Sequence, residues 1–252
     1  SHMADQRGWM VVTGAGPGIM EAANLGAGVD DSFGVNIRLP FEAEANPYIH
    51  ESRLINFKYF FTRKLMFMKE SNAFALFPGG FGTQGETFEL LTLIQTGKSP
   101  ISPVVLIDAP GTSYWDRWLD FVSGTLVEQG MIGPDDMALF TQVDTVEAAA
   151  AEVCDFYRNY HSQRFIGDRL VLRLQHAPSA EQLERLNDEF SDILASGQIE
   201  TTETTDAERN ADDHPDLARI ILHFNRRSLG RLRIMIDTLN GFAPEIGTVS
   251  SD

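Results

Sequence analysis

Cysteine is nearly missing from this chain: Cys154 is the only one in 252 residues. That excludes an intrachain disulfide and any multi-cysteine metal site, and it suits a reducing compartment, so a cytoplasmic location is expected. Lysine is scarce as well, with four residues, all between Lys58 and Lys98, against sixteen arginines. Long apolar runs are lacking, since no stretch approaches the roughly 20 uncharged apolar residues that cross a bilayer. Positive charge is in deficit. Twenty basic against 36 acidic side chains give a formal charge of -16, which opposes nonspecific association with nucleic acid or anionic lipid. Neither nucleic acid nor a membrane is an expected partner. The six histidines (His2, His50, His161, His176, His214 and His223) show no metal-ligand spacing, and no metal is expected.

What is present is a hydrophobic fraction of 43%, ordinary for a globular protein, in a chain long enough for one large domain or for a domain of about 150 residues plus a smaller one. Ser1-His2-Met3 reads as the remnant of a cleaved tag. Residues 4–8 read as the end of a helix and Trp9 to Thr13 as a buried strand, so an upstream strand is expected to be missing. Val11-Val12-Thr13 then runs into Gly14-Ala15-Gly16-Pro17-Gly18 and a short helix from Ile19 to Gly26. A strand, a glycine turn and a helix open an α/β unit.

The alternation continues. Strands are expected over 33–39, 73–77, 104–107 and 138–143, and helices over 56–70, 84–96, 114–128 and 145–160, with a polar loop over 41–48. This order predicts an α/β fold, a Rossmann-like doubly wound parallel sheet over residues 4–165 that carries nucleotide binding and catalysis. Beyond it, a strand over 169–175, a capped helix from Ser179, a strand over 217–224 and a helix over 228–239 predict a small C-terminal α+β module, residues 166–252. Its segment 197–216 carries seven acids against Arg209 alone and is expected to be a surface loop. In the module, Ile220, Leu222, Phe224, Leu232, Ile234 and Leu239 form an expected apolar face. Arg226, Arg227, Arg231 and Arg233 read as a solvated basic face, with an anionic effector as the rarer alternative. The Trp and Phe residues read as core.

The motif with the most chemistry is Pro78-Gly79-Gly80-Phe81-Gly82-Thr83-Gln84-Gly85-Glu86, set between an apolar strand and a helix. Glycines let the backbone turn and present amide N–H groups without a Cβ in the way. The following helix adds the positive end of its dipole, so a phosphate is the natural occupant. Thr83 adds a hydroxyl donor, and Glu86 lies about one turn into the helix. Glycines alone would only close a turn, with Glu86 a solvated acid; Thr and Glu at this spacing favour the ligand reading. The first loop departs from G-x-G-x-x-G because Ile19 occupies the third glycine position, and no acid ends the next strand, which argues against a nicotinamide cofactor. It still suits the lining of a nucleotide site. Arg63 and Lys64 stand in an otherwise aromatic helix, where residue type alone places them on its polar face.

Together, Thr13-Gly14-Ala15-Gly16-Pro17-Gly18-Ile19-Met20, Arg63-Lys64 and the 78–86 motif resemble the signatures of the Lonely Guy (LOG) family over about residues 9–160, in the version of its larger bacterial members. The resemblance implies a Rossmann-like homodimer or higher oligomer that hydrolyses the N-glycosidic bond of nucleoside 5'-monophosphates, AMP or N6-modified AMP of the cytokinin type, to a free base and ribose 5-phosphate. It makes Arg63 and Glu86 the catalytic pair. Gly79, Gly80, Gly82 and Thr83 become the phosphate cradle, and Gly14, Gly16, Gly18, Met20 and Lys64 the nucleotide lining. Gly85 departs from the acid common at that position. No cofactor is expected. The alternative is a noncatalytic nucleotide or molybdenum-cofactor carrier on the same fold, which would need the cradle but not the acid.

Overall fold

The structure, a computed structural model, describes residues 3, 8–37, 45–210 and 212–243. It divides into two compact units, Ser1–Leu90 and Leu91–Asp252.

In the first unit, β1 (Val11–Thr13) leads through the glycine loop into α1 (Ile19–Ala27), and Gly18 enters that helix at φ 73°. Met20, Asn24 and Ala27, spaced i, i+4 and i+7, share one helix face, and Asn24 and Ala27 are buried. Gly28, at φ 85°, closes the helix by donating its N–H to the Asn24 carbonyl. β2 (Ser32–Ile37) and β3 (Leu54–Phe57) continue a parallel sheet in the order β1-β2-β3, with Thr13 beside Gly34 and Gly34 beside Leu54. Gly34 is closely packed, since a Cβ there would stand 2.7 Å from Leu54 Cδ1 and 2.9 Å from Ile49 Cδ1, and those side-chain ends would have to shift. α2 (Phe60–Glu70), β4 (Phe74–Leu76) and α3 (Phe81–Gln95) follow, the unit boundary falling inside α3.

Two expectations change here. The helix expected from residue 56 begins at Phe60, because 54–57 are drawn into the parallel ladder with β2. The aromatics at α2 are not all core: Tyr59, just before the helix, and Phe60 and Phe61 within it are exposed, and so are Leu65 and Phe81. Residues 4–7 of the helix end expected over 4–8, the last residues of the strand expected over 33–39 and the start of the loop over 41–48 fall outside the described residues, and residue 8 is not helical.

In the second unit, β5 (Val104–Ile107) is buried at every position, the signature of a strand covered on both faces, and pairs in parallel with β6 (Thr141–Val143). α4 (Tyr114–Phe121) continues as a π-helical stretch to Val127 and brings Trp115 edge-on to Trp118 at 5.6 Å between ring centroids. β6 starts three residues later than expected because Pro134–Leu139 forms a 3-10 helix. α5 (Val146–Phe156) precedes a four-stranded antiparallel sheet of β7 (Tyr160–Ile166), β8 (Arg169–Leu174), β9 (Leu194–Thr201) and β10 (Ala218–Phe224), in the order β7-β8-β10-β9. The β7-β8 hairpin turns at Gly167, φ 62°. β8, α6 (Ala180–Phe190) and β9 form a split β-α-β, since both strands run antiparallel to the β10 between them. α8 (Leu229–Gly241) ends the described unit. Ile220, Leu222, Phe224, Leu232 and Leu239 are buried as expected, but Met235 and Ile236 fill the place given to Ile234.

The acidic segment is a correction. Residues 197–201 belong to β9, and α7 (Asp206–Asn210) is a short helix that delivers Glu208 to a buried position. Arg173 and Arg219 are direct cross-strand partners, both buried, an arrangement unfavourable by itself. Glu208 resolves it by accepting from Arg173 Nη2 at 2.8 Å and placing its other oxygen 3.4 Å from Arg219 Nε. The basic run over 226–233 is likewise not one solvated face. Arg226 covers the Phe165 ring and donates to the Gly167 carbonyl, Arg231 pairs with Asp192, and Arg233 is buried against Glu152 and Asp237.

Candidate active site

The expected site residues lie in the first unit. α3 starts at Phe81, immediately after Pro78-Gly79-Gly80, and its first N–H groups have no intrahelical acceptor. The first helical hydrogen bond of the series runs from Gln84 N–H to the Gly80 carbonyl, 3.1 Å. Gly79 is a steric requirement: a Cβ there would collide with the Thr83 hydroxyl and lie 2.9 Å from Thr83 Cβ. The threonine folds back over the glycine, and the backbone amides, Thr83 and the helix dipole share one short turn. Such a combination has the geometry suited to an anion.

Glu86 stands one turn into α3, and Arg63 reaches it from α2, Nη2 to Oε1 at 3.4 Å. Arg63 is held further by the rings of Phe60 and Phe67, 5.4 and 6.0 Å from its guanidinium carbon. Its Nε is buried and has no hydrogen-bond partner among the described residues. A long, loosely paired guanidinium with an unused donor beside a partly exposed carboxylate can still engage an anionic or polar ligand. Lys64, the next residue, pairs with Glu89 at 3.0 Å, and its Nζ would be 3.4 Å from a Cβ at Gly85. Gly85 thus leaves room for a second charged pair one turn below the first.

The first glycine loop meets the same arginine. A Cβ at Gly14 would stand 3.8 Å from Arg63 Nη1 and 2.9 Å from Met20 Sδ, and one at Gly16 would stand 2.6 Å from Met20 Cε. Met20 therefore lies across both glycines. The structure brings together Gly14, Gly16, Met20, Arg63 and Glu86 in this way. Gly18 serves instead as the turn into α1, with nothing within 4 Å of its would-be Cβ, and the same open surroundings apply to Gly80 and Gly82.

The sequence pattern of the family described as "Possible lysine decarboxylase" matches residues 17–153, more than half of the chain. The chain belongs to this family, the LOG family. Among relatives, it is 31% identical over 101 residues to the probable cytokinin riboside 5'-monophosphate phosphoribohydrolase LOGL3 of Oryza sativa subsp. japonica, covering 40% of this chain and 46% of that protein. It is 34% identical over 85 residues to cytokinin riboside 5'-monophosphate phosphoribohydrolase LOG3 of Arabidopsis thaliana, covering 34% and 38%. With the probable enzyme LOG6 of the same plant, identity is 40% over 72 residues, covering 29% and 34%. The chain thus spans less than half the length of these relatives.

In this LOG-family chain the decarboxylase label finds little to work with. Such chemistry through pyridoxal phosphate needs an enclosed lysine for the Schiff base. Lys58, Lys69 and Lys98 are exposed, and Lys64 is engaged by Glu89. These lysines do not fit that cofactor. Among the described residues no three His, Cys, Asp or Glu side chains come together as a metal-ligand group. No described helix is long and apolar enough to cross a membrane.

The residues that sequence reasoning missed are polar and buried. Asn24, Asn46 and Thr13 bond to one another beneath the first glycine loop; the exposed Glu89, partner of Lys64, was missed as well. For Asn24 a signal existed: it is a lone amide on the inner face of an Ala-rich helix, and such a group persists there only with partners. Asn46 carried no such mark. In the second unit, Ser196 Oγ lies 2.7 Å from His223 Nδ1 and Asp168 3.4 Å from Nε2. Ser196 and His223 are register partners on β9 and β10, and Asp168 is 73% exposed, so the trio is a cross-strand contact lacking the buried acid that orients a catalytic imidazole.

Proposed function

We propose that this protein is an N-glycosidase that hydrolyses nucleoside 5'-monophosphates to a free base and ribose 5-phosphate. The observation that carries the reading is the Arg63–Glu86 pair set one helical turn from the glycine-rich end of α3. The 5'-phosphate sits on the amides around residues 79–83 and on Thr83, which spends binding energy remote from the reacting bond on alignment. Departure of the base builds positive charge at C1' of the ribose. The Glu86 carboxylate faces that charge and orients the attacking water; the water oxygen bonds to C1', and its proton leaves with the base nitrogen. Arg63 holds the carboxylate in position and adds donors for the phosphate. Gly14, Gly16 and Met20 line the nucleotide, with Lys64 at the margin.

The names of the plant relatives support AMP or its N6-modified, cytokinin-type forms as substrates. A carrier on the same fold would need the phosphate cradle without the acid, and the pairing of Glu86 with Arg63 favours the enzyme. The reading further assigns catalysis to residues 4–165, a regulatory or assembly role to 166–252, a cytoplasmic location and a homo-oligomeric state. Chromatography of an AMP incubation tests the reaction: adenine and ribose 5-phosphate should appear in equal amounts. Calorimetry tests the cradle, because each charge-assisted hydrogen bond contributes about 1.5–3 kcal/mol. AMP should bind far more tightly than adenosine, and equal affinities would contradict the phosphate site.

A further inference from the structure

We infer that Asn46, acting with Asn24 and Thr13, is a positioning residue that sets the first glycine loop at the height required for nucleotide binding. The inference rests on the proposed function of the same site. Ala15 is the key to it, a non-glycine residue at φ 64° and almost fully buried. That conformation is disfavoured for an L-residue and persists only where the surroundings over-determine it.

The surroundings do so through three polar side chains. The Ala15 N–H donates to Thr13 Oγ1 at 3.0 Å, and the Ala15 carbonyl accepts from Asn46 N–H at 2.9 Å. Asn46 Nδ2 donates to the Gly16 carbonyl at 3.2 Å and to Asn24 Oδ1 at 3.1 Å. Thr13 Oγ1 donates its own proton to the same Asn24 oxygen at 2.7 Å, and Tyr48 N–H fixes the Asn46 carbonyl oxygen at 3.2 Å. The Asn46 amide has a defined donor and acceptor side, and a carboxylate there would set an acceptor against the Gly16 carbonyl and Asn24 Oδ1, whereas Asn24 serves through its Oδ1 alone, its buried Nδ2 having no hydrogen-bond partner among the described residues.

What the network holds is the loop that packs on Met20 and Arg63. Gly14 and Gly16 lie against Met20, and Gly14 against Arg63, so a shift of the loop moves the glycines, the thioether and the guanidinium together. Nothing in the network touches Glu86. Its loss should therefore weaken nucleotide binding without removing the acid, a signature that a general loss of stability does not produce.

The test uses the full chain with Asn46→Asp, Thr13→Val and Thr13→Ser, reading AMP affinity by calorimetry and base release as separate kcat and KM. Asn46→Asp keeps the acceptor for Tyr48 and removes the donor to Gly16; Thr13→Val keeps the shape and removes both hydroxyl bonds; Thr13→Ser restores them. Expected are at least about tenfold weaker AMP binding and a matching rise in KM for the first two, kcat within about threefold, and recovery to within about twofold for Thr13→Ser. Unchanged affinity in both Asn46→Asp and Thr13→Val, or a loss confined to kcat, overturns the positioning role. Should one variant fail to fold, the other pair, Thr13→Val against Thr13→Ser or Asn46→Asp against the parent, decides by the same readings. If the parent protein binds AMP but releases no base, the hydrolase reading fails while affinity still judges the loop; if it binds no AMP, both are overturned.

Discussion

In the proposed reaction Glu86 and Arg63 divide the work at the residue scale, and their substitutions should separate it. Glu86→Gln keeps the size of the side chain and removes its charge, so base release should fall by about 10²- to 10⁴-fold while AMP affinity stays within about tenfold. Turnover within a few fold of the parent would remove Glu86 from catalysis. Arg63 has a planar fork, one arm on Glu86 and a free buried Nε. Arg63→Lys cannot reproduce that fork, and it should lower both kcat and AMP affinity. Equal kinetics for the lysine variant, measured over the same AMP range, would show that charge alone suffices.

Among the elements, β8, β10 and the short helix α7 are coupled through Glu208. Burial works to raise its pKa, but the hydrogen bond from Arg173, those from Thr205 and the nearby Arg219 outweigh burial and bring it down to about 2. A carboxylate with a depressed pKa in the fold stabilises above its unfolded value and loses that contribution as pH falls. His161 acts in the same direction, its pKa lowered by burial, then by His214 and Arg173, with Asp213 opposing. The melting temperature should therefore drop in two stages on acidification, first below about 6.5 and again from about 4.5 toward 2. Glu208→Gln should shrink the lower stage, to which Asp213 also contributes, and, by leaving buried Arg219 without a carboxylate and Arg173 with Asp213 alone, cost about 3 kcal/mol in urea titrations at neutral pH. A single-stage acid profile in the parent would contradict this assignment.

The same elements show what was legible in the sequence. The glycine turns were readable because residue type and position carry their geometry directly, and β5 because an all-apolar run of that length has few other homes. Segment 197–216 was not. Its composition is that of a solvated loop, and only Arg173 and Arg219, brought side by side by a β8-β10 register that no local pattern encodes, give Glu208 a buried partner. β7 was hidden for a related reason, since its inner face is set by pairing with β8. Asn46 is the counterpart within the site: its role exists only once β1, α1 and the 45–48 loop converge. Gly230 belongs here too. A Cβ there would run into the Asp135 carbonyl, so α8 packs directly on the 3-10 helix Pro134–Leu139. Gly230→Ala should cost about 1–3 kcal/mol in the same titrations; no loss would show that this packing yields freely.

For the whole molecule, the first unit leaves a run of large apolar side chains exposed at the start of α2, Tyr59, Phe60, Phe61 and Leu65, and Phe81 at the start of α3. The proposed homo-oligomer would cover such surface. Light scattering should give at least twice the mass of one chain, and Phe61→Ser with Leu65→Ser should lower it; a monomeric parent would contradict the oligomer. The central claim is chemical, and one measurement tests it most directly. Parent and Glu86→Gln proteins are incubated with AMP, N6-isopentenyl-AMP, GMP, UMP and CMP, and free base is measured by chromatography. The account predicts base release by the parent from the adenine nucleotides, with ribose 5-phosphate in equal amount, and almost none from Glu86→Gln. Intact nucleotide throughout, or equal release by both proteins, would contradict it.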